Sequence, residues 1–257
     1  MGKRKKKKKS SGKRRGCLSR LVRWGINLVA LAMLVTAVLA GWWYLTWPDV
    51  GSLAAQTPET TAFIEQSRER LGRQQVRWDP VPGEGISDRL RVAVLVSEDI
   101  GFFDHQGFEK SEIEAAIRDS IAERKPLRGA STITQQLAKN LWLSPSRNPL
   151  RKLREALLTM DLERRLTKER ILDLYLNVAE FGPGIFGAET ASRHYFGKPA
   201  SDLDAGEAAS LAAGLSRPSK WHPGCGSSAY QRHVHTIRQR MERARGLPLG
   251  TAGGSSP

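Results

Sequence analysis

The sequence predicts a mainly α domain behind one N-terminal transmembrane helix, on three observations. Residues 24–48 form an uncharged run of 25 residues, long enough to cross a bilayer as a helix. Beyond residue 80, apolar residues recur at helical spacing in segments parted by short Gly and Pro breaks. Only "QQVRW" at 74–78 has the alternation of a strand.

The first element also explains the charge. The chain holds 41 Lys and Arg against 26 Asp and Glu, and twelve of the basic residues precede Trp24 with no acid among them. The remaining 29 basic residues nearly balance the acids, so the basic character belongs to the tail and no nucleic-acid partner is expected. Trp42, Trp43, Tyr44 and Trp47 make an aromatic belt at one end of the run. The basic tail at the other end stays cytoplasmic, and the domain that follows is exported. A cleaved signal peptide is the alternative, with "VLA" at 38–40 as the cut. The length of the run, and aromatics lying past that cut, favour an anchor. The tail either binds anionic lipid or serves topology alone.

The expected layout is a basic tail (1–23), a transmembrane helix (24–47), a linker (48–58), a catalytic domain (59–245) and a polar tail (246–257). Helices are expected at 87–99, 111–124, 131–141, 149–166, 168–177, 187–196, 204–215 and 229–244. Ser87, Ser131 and Asn148 are the expected N-caps of the first, third and fourth. Asp204 and Glu207 make a capping box, so "DLD" at 202–204 is not a metal motif. "GPGIFG" at 182–187 reads as a turn. Cys17 and Cys225 fall on opposite sides of the membrane, and no His/Cys metal spacing occurs.

Three stretches carry chemistry. "AVLVSEDIGFFDHQGF" (93–108) puts Glu98 and Asp99 in the last turn of a helix, where carboxylates oppose the helix dipole. They are either solvated acids paired with an Arg or with His105, or functional groups. A carboxylate set against apolar side chains gains proton affinity, as a general base requires. In "RGASTITQQLAKNLWL" (128–143), Ile133, Leu137 and Leu141 share one face and Thr132, Gln136 and Lys139 another. A hydroxyl, an amide and a cation in a row suit sugar hydroxyls and a phosphate; an ordinary polar helix surface is the alternative. In "NPLRKLREALL" (148–158), Arg151, Lys152 and Glu155 share a face near a helix N-terminus. That is an anion site or an intrahelical ion pair.

These blocks resemble the peptidoglycan glycosyltransferases of family 51. The resemblance rests on E-D-x-x-F-x-x-H-x-G (Glu98, Asp99, Phe102, His105, Gly107), G-x-S-T-x-T-Q-Q-x-x-K-N (129–140), R-K-x-x-E (151–155) and K-x-x-I-L-x-x-Y-L-N (168–177). It continues through "FGPGIFG" and "YFGK" and covers roughly residues 60–225. No transpeptidase segment follows, which points to the monofunctional kind.

The resemblance implies a two-lobed, lysozyme-like fold with a cleft above the membrane. Its substrate would be lipid II, a disaccharide-pentapeptide on undecaprenyl pyrophosphate, added to a growing glycan strand in β-1,4 linkage. By similarity Glu98 is the general base and Glu155 lies at the donor pyrophosphate, orienting it or holding a magnesium or manganese ion. Lys139, Arg151 and Lys152 would neutralise the departing pyrophosphate. Ser131, Thr132, Gln135 and Gln136 would line the donor side, with Asp99, Phe102 and His105 shaping the first motif. The site would face the periplasm from a bacterial inner membrane, beside cell-wall synthesis or division proteins. Pyrophosphate is a good leaving group, so the chemistry asks for one base and a cluster of cations. Asp173 stands where the family usually has Glu, and "AAGLSRPSKWHP" (212–223) is a loose form of the last motif. A lytic transglycosylase or lysozyme-like hydrolase is the alternative activity, and an inactive scaffold the non-enzymatic one.

Overall fold

The protein is described here by a computed structural model covering residues 12–109, 131–144 and 149–244. The expected helix 111–124, the Asn148 cap and the tail from 246 lie outside the described residues. The chain divides into two units, Met1–Pro48 and Asp49–Pro257.

The first unit is one helix, α1 (Gly12–Leu45). Its segment Arg23–Leu45 is long and apolar enough to cross a membrane. Leu28, Leu31, Leu34 and Leu39 are exposed along it. The hydroxyl of Thr36 donates back to Ala32 O at 2.9 Å, so it needs no water in an apolar surrounding.

The second unit contains α2 (Ala62–Leu71), α3 (Asp88–Glu98), α4 (Ile133–Trp142), α5 (Pro149–Arg165) and α6 (Lys168–Val178). These are followed by α7 (Ala188–Phe196), α8 (Ala205–Leu215) and α9 (Ser228–Arg243). Helix α2 was not anticipated. Its N-cap Thr61 accepts from Ile64 N at 3.1 Å and Ile64 is fully buried, but five charged or amide residues in ten blur its apolar stripe. The segment expected as a linker is partly packed: Val50 and Leu53 are buried, and Arg170 Nε donates to Leu53 O at 2.7 Å.

The expected strand at 74–78 shrinks to β1 (Arg77–Trp78), because residues 73–75 turn as a 3-10 helix. With β2 (Glu180–Gly182) and β3 (Ile185–Phe186) it forms a small sheet in the order β1-β3-β2. Arg77 and Trp78 run parallel to Ile185 and Phe186, while β2 and β3 form an antiparallel hairpin around the expected turn. Asp204 and Glu207 make the expected capping box of α8.

Two groups of helices position the site. Helices α3, α8 and α9 pack together, and α4 packs against α2, α5 and α6. The apolar faces match the sequence pattern: Leu90 and Val94 of α3, and Ile133 and Leu137 of α4, are fully buried. Helix α6 is a central strut, with Ile171, Leu172, Leu174 and Leu176 all inaccessible. Near its end, Asn177 receives Val81 N at 2.9 Å and donates to Val81 O at 3.0 Å, clamping the segment that leads into α3. The start of α3 is held by Ser87, whose N donates to Ala200 O at 3.0 Å and whose hydroxyl donates to Leu203 O at 3.2 Å. Its end is held by Arg240 of α9, which donates to Val96 O at 3.2 Å, a cation where the helix dipole favours one. Held at both ends, α3 delivers Glu98.

Asp173 makes an ion pair with Arg91 of α3 at 2.6 Å. Gly83 lies directly over its carboxylate, and a Cβ there would fall 2.2 Å from Asp173 Oδ2. The short side chain thus props α3 through Arg91, with Gly83 making the room.

Candidate active site

The adjacent acids Glu98 and Asp99 have different tasks. Asp99 is buried. Its Oδ2 accepts the backbone N–H of Ile133 at 2.9 Å, and its Oδ1 lies 2.9 Å from His105 Nε2. It therefore sits unfavourably at the end of α3 but favourably at the N-terminus of α4. Gly107 N donates to His105 Nδ1 at 3.1 Å, which places the ring proton on Nε2, facing Asp99. Gly107 adopts φ +83°, and a Cβ there would meet Thr159 Cγ2 at 2.7 Å, so the turn requires glycine. Phe102 is fully buried with Lys168 Nζ 4.5 Å above its ring. Asp99, Phe102 and His105 thus shape the site from beneath and do not line it.

Replacing Asp99 by Asn removes the charged acceptor of both bonds. We expect a loss of about 1.5–3 kcal/mol, read as a lowered denaturation midpoint of the full chain in detergent.

Glu98 is half-buried. Its Oε2 accepts from Gln136 Nε2 at 3.0 Å. Gln136 Oε1 in turn accepts the hydroxyl of Tyr175 at 2.9 Å, which fixes the amide with its nitrogen toward the carboxylate. Burial first, then the charges of Glu98 and Asp99, push the Tyr175 phenol well above its ordinary pKa, so it remains a donor. Glu98 Oε1 lies 3.3 Å from Ser97 Oγ and 3.4 Å from Ser216 Oγ.

The expected donor-side row divides. Thr132, not Ser131, is the N-cap of α4. Thr132 Oγ1 accepts from Gln135 N at 3.3 Å, and Gln135 Oε1 accepts from Thr132 N at 3.0 Å, completing a capping box. Thr132 also donates to Gly107 O at 2.7 Å. Both side chains are buried and occupied, so the assignment of Thr132 and Gln135 as cleft lining is corrected to one of support. The reason is register: with Ser131 exposed one residue before the cap, Gln136 and Lys139 are the members of the row that remain half-exposed on α4.

Lys139 is the electrostatic hinge of the site. Burial pulls its pKa below the ordinary lysine value; Glu155 opposes this, Arg151 and Lys152 add to it, and Glu98 opposes it more weakly. One partly desolvated cation therefore senses both carboxylates. Glu155 is buried in α5. Its Oε2 takes Arg151 Nη1 at 3.2 Å and its Oε1 takes Lys152 Nζ. The intrahelical Arg151–Glu155 pair, the alternative reading of this stretch, is formed, and Lys152 joins it, so two cations sit on one buried acid with Lys139 in electrostatic range. That arrangement suits an anion. It suits a divalent ion poorly, because Glu155 is the single carboxylate among those cations, and no group of three or more His, Cys, Asp or Glu forms a metal site among the described residues.

Sequence reasoning missed a layer of support. Thr134 and Lys168, the latter at 2.8 Å, bind Glu163 Oε1 and join α4, α5 and the start of α6. It also missed Tyr175, Ser216 and His233. His233 of α9 lies against Trp221, with ring centroids 5.5 Å apart, and its Nε2 is buried with no hydrogen-bond partner among the described residues. Burial lowers its pKa, while Glu98 acts to raise it and Arg240 to lower it. Tyr175 and Ser216 lay in stretches already singled out, the block at 168–177 and the loose motif at 212–223, without a role assigned to either.

Residues 64–242 match the family model described as Transglycosylase. The chain is similar to a biosynthetic peptidoglycan transglycosylase of Azoarcus sp., 42% identical over 80% of this chain and 90% of the relative. It is also similar to proteins of that name from Nitrosomonas eutropha, 44% identical over 73% and 78%, and Chromobacterium violaceum, 41% over 82% and 94%. The matched segment contains Glu98, Lys139 and Glu155 together with the helices that carry them, and the chain belongs to the transglycosylase family.

Proposed function

We propose that the protein is a peptidoglycan glycosyltransferase that polymerises lipid II into β-1,4-linked glycan strands and releases undecaprenyl pyrophosphate. The observation that carries this reading is one carboxylate, Glu98, held by Gln136 of α4, together with a cation cluster in which Arg151 and Lys152 are gathered on buried Glu155 and Lys139 follows Gln136 by one helical turn. Glu98 takes the proton of the acceptor 4-hydroxyl as that oxygen attacks the donor's anomeric carbon. The bond to pyrophosphate breaks on the opposite side, so an α-linked donor yields a β-linked product in one displacement. Lys139, Arg151 and Lys152 stabilise the charge that develops on the leaving group. Glu155 holds the last two in place. No resident metal is used in this reading.

Membrane anchoring by α1, with the catalytic unit on the periplasmic side of the inner membrane, belongs to the same proposal. The twelve basic residues before Trp24 support that orientation. An exposed stripe on α5 supports contact with lipid: Leu150, Leu153, Leu157 and Met160 recur at helical spacing, 38–61% exposed. Such a stripe on the helix that bears the pyrophosphate cations suits a surface held at the acyl boundary.

The test is incubation of the purified full chain with lipid II or with finished glycan. Polymer from lipid II and no cleavage of glycan is the expected result. Fragments from finished glycan, with lipid II unchanged, would instead establish a lytic enzyme.

A further inference from the structure

A second groove, away from Glu98 and the cation cluster, has a volume of about 650 Å³, within the size range of small-ligand sites. Its walls come from the segment before β1, the β2–β3 hairpin, α7 and the loop 222–224. The residues that matter are Gln75, Arg77, His194, Tyr195 and His222. None of the groove's lining residues is acidic. The neighbouring carboxylate, Glu180, accepts Gly184 N at 3.2 Å, and burial raises its pKa.

The polar groups are arranged by contacts within the groove. Arg77 Nη1 donates to His194 Nδ1 at 3.3 Å, which leaves the His194 ring proton on Nε2 as a donor. His222 Nδ1 donates to Pro223 O at 3.0 Å, which leaves its Nε2 as an acceptor. The His222 ring stacks on Tyr195, centroids 5.9 Å apart and planes 17° apart. Tyr195 is seated because residue 182 is glycine: a Cβ there would meet the phenol oxygen at 1.9 Å. Arginine beside one imidazole donor, one imidazole acceptor, amides and an aromatic floor form a surface for a carboxylate attached to hydrogen-bonding units. A single small ion would leave most of this volume unfilled.

The groove is tethered to the active site. Ser216 lies 3.4 Å from Glu98, and six residues later His222 forms the groove wall. Six residues span at most about 20 Å, and the intervening loop is folded back by Lys220 N and Trp221 N donating to Arg217 O at 2.8 Å each. A five-residue peptide extends about 17 Å, so a stem on a sugar bound beside Glu98 spans a comparable distance.

We infer that this groove binds the acidic peptide stem of the substrate, with Arg77 holding a stem carboxylate. The inference rests on the glycosyltransferase reading, and its test separates the two. The full chain in detergent is titrated with free stem pentapeptide, with the same peptide amidated at its carboxylates, and with a peptide-free chitin tetrasaccharide. Stem peptide should bind, amidation should weaken binding about tenfold, and Arg77→Gln should do the same, a charge-assisted hydrogen bond being lost in each case. Arg77 is exposed, so folding is not at stake. Equal binding of the amidated peptide, preference for the tetrasaccharide, or no effect of Arg77→Gln would each overturn the inference. In polymerisation, Arg77→Gln should raise KM for stem-bearing lipid II about tenfold relative to a stem-free analogue. An unchanged ratio overturns the groove alone. A wild-type chain that polymerises neither substrate overturns the glycosyltransferase reading, while the titrations still judge the groove.

Discussion

Glu98→Gln should lower kcat for lipid II polymerisation by between about a hundredfold and ten-thousandfold, the range of a positioned general base, while KM changes by no more than a few-fold. The change is isosteric. Gln136 still donates to the oxygen at position 98, Tyr175 still holds Gln136, and the buried neighbours Val94 and Val96 are untouched. What disappears is the ability to accept a proton from the acceptor hydroxyl. Since Glu98 lies outside the Asp99–His105–Ile133 network, the thermal midpoint should stay within a few degrees. A variant that folds normally and polymerises at near wild-type rates would refute the assignment of the base, and an inactive scaffold would show that indifference.

Lys139→Met should cost about a hundredfold to a thousandfold in kcat, the usual consequence of removing one preorganised charge from a developing oxyanion. Methionine keeps most of the apolar stem and removes the cation. Arg151 and Lys152 remain, but both are committed to Glu155 in the resting site, so they replace Lys139 poorly. The pH profile gives an independent readout. Burial lowers the pKa of Lys139, so the cation is present at low pH and is lost as pH rises through that lowered value. Activity should therefore fall on the alkaline side earlier than for an ordinary lysine. Lys139→Arg keeps its charge at high pH and should move that limb upward, even where its larger head lowers the maximum rate. An alkaline limb that does not move in Lys139→Arg would assign the titration to another group.

Both predictions turn on residues the sequence singled out, yet what distinguishes them from their neighbours was not local. Glu98 and Asp99 are adjacent, and helix periodicity places both at the end of α3. Only the arrival of the α4 N-terminus, 34 positions along the chain, ties Asp99 to Ile133 N and leaves Glu98 half-exposed beside Gln136. Thr132 and Gln135 were expected beside Gln136 and Lys139 on a binding face. A shift of the cap from Ser131 to Thr132 turned the first two into a capping box. Tyr175 stood in the block at 168–177 without a role, because nothing in its neighbourhood shows that its hydroxyl meets Gln136.

The sequence by itself determined the long apolar N-terminal helix, the helices with strong caps and clean apolar stripes, the order of the chemical blocks and the shared face of Arg151, Lys152 and Glu155, because each depends on residues a turn or two apart. The tertiary structure alone decided which polar groups support and which confront a ligand. It also brought Ser216 and His233 to the base and assembled the Arg77 groove from four separate segments. Those outcomes depend on how α3, α4, α8 and α9 approach one another, and burial and electrostatic coupling across such distances leave no mark on neighbouring positions in the chain.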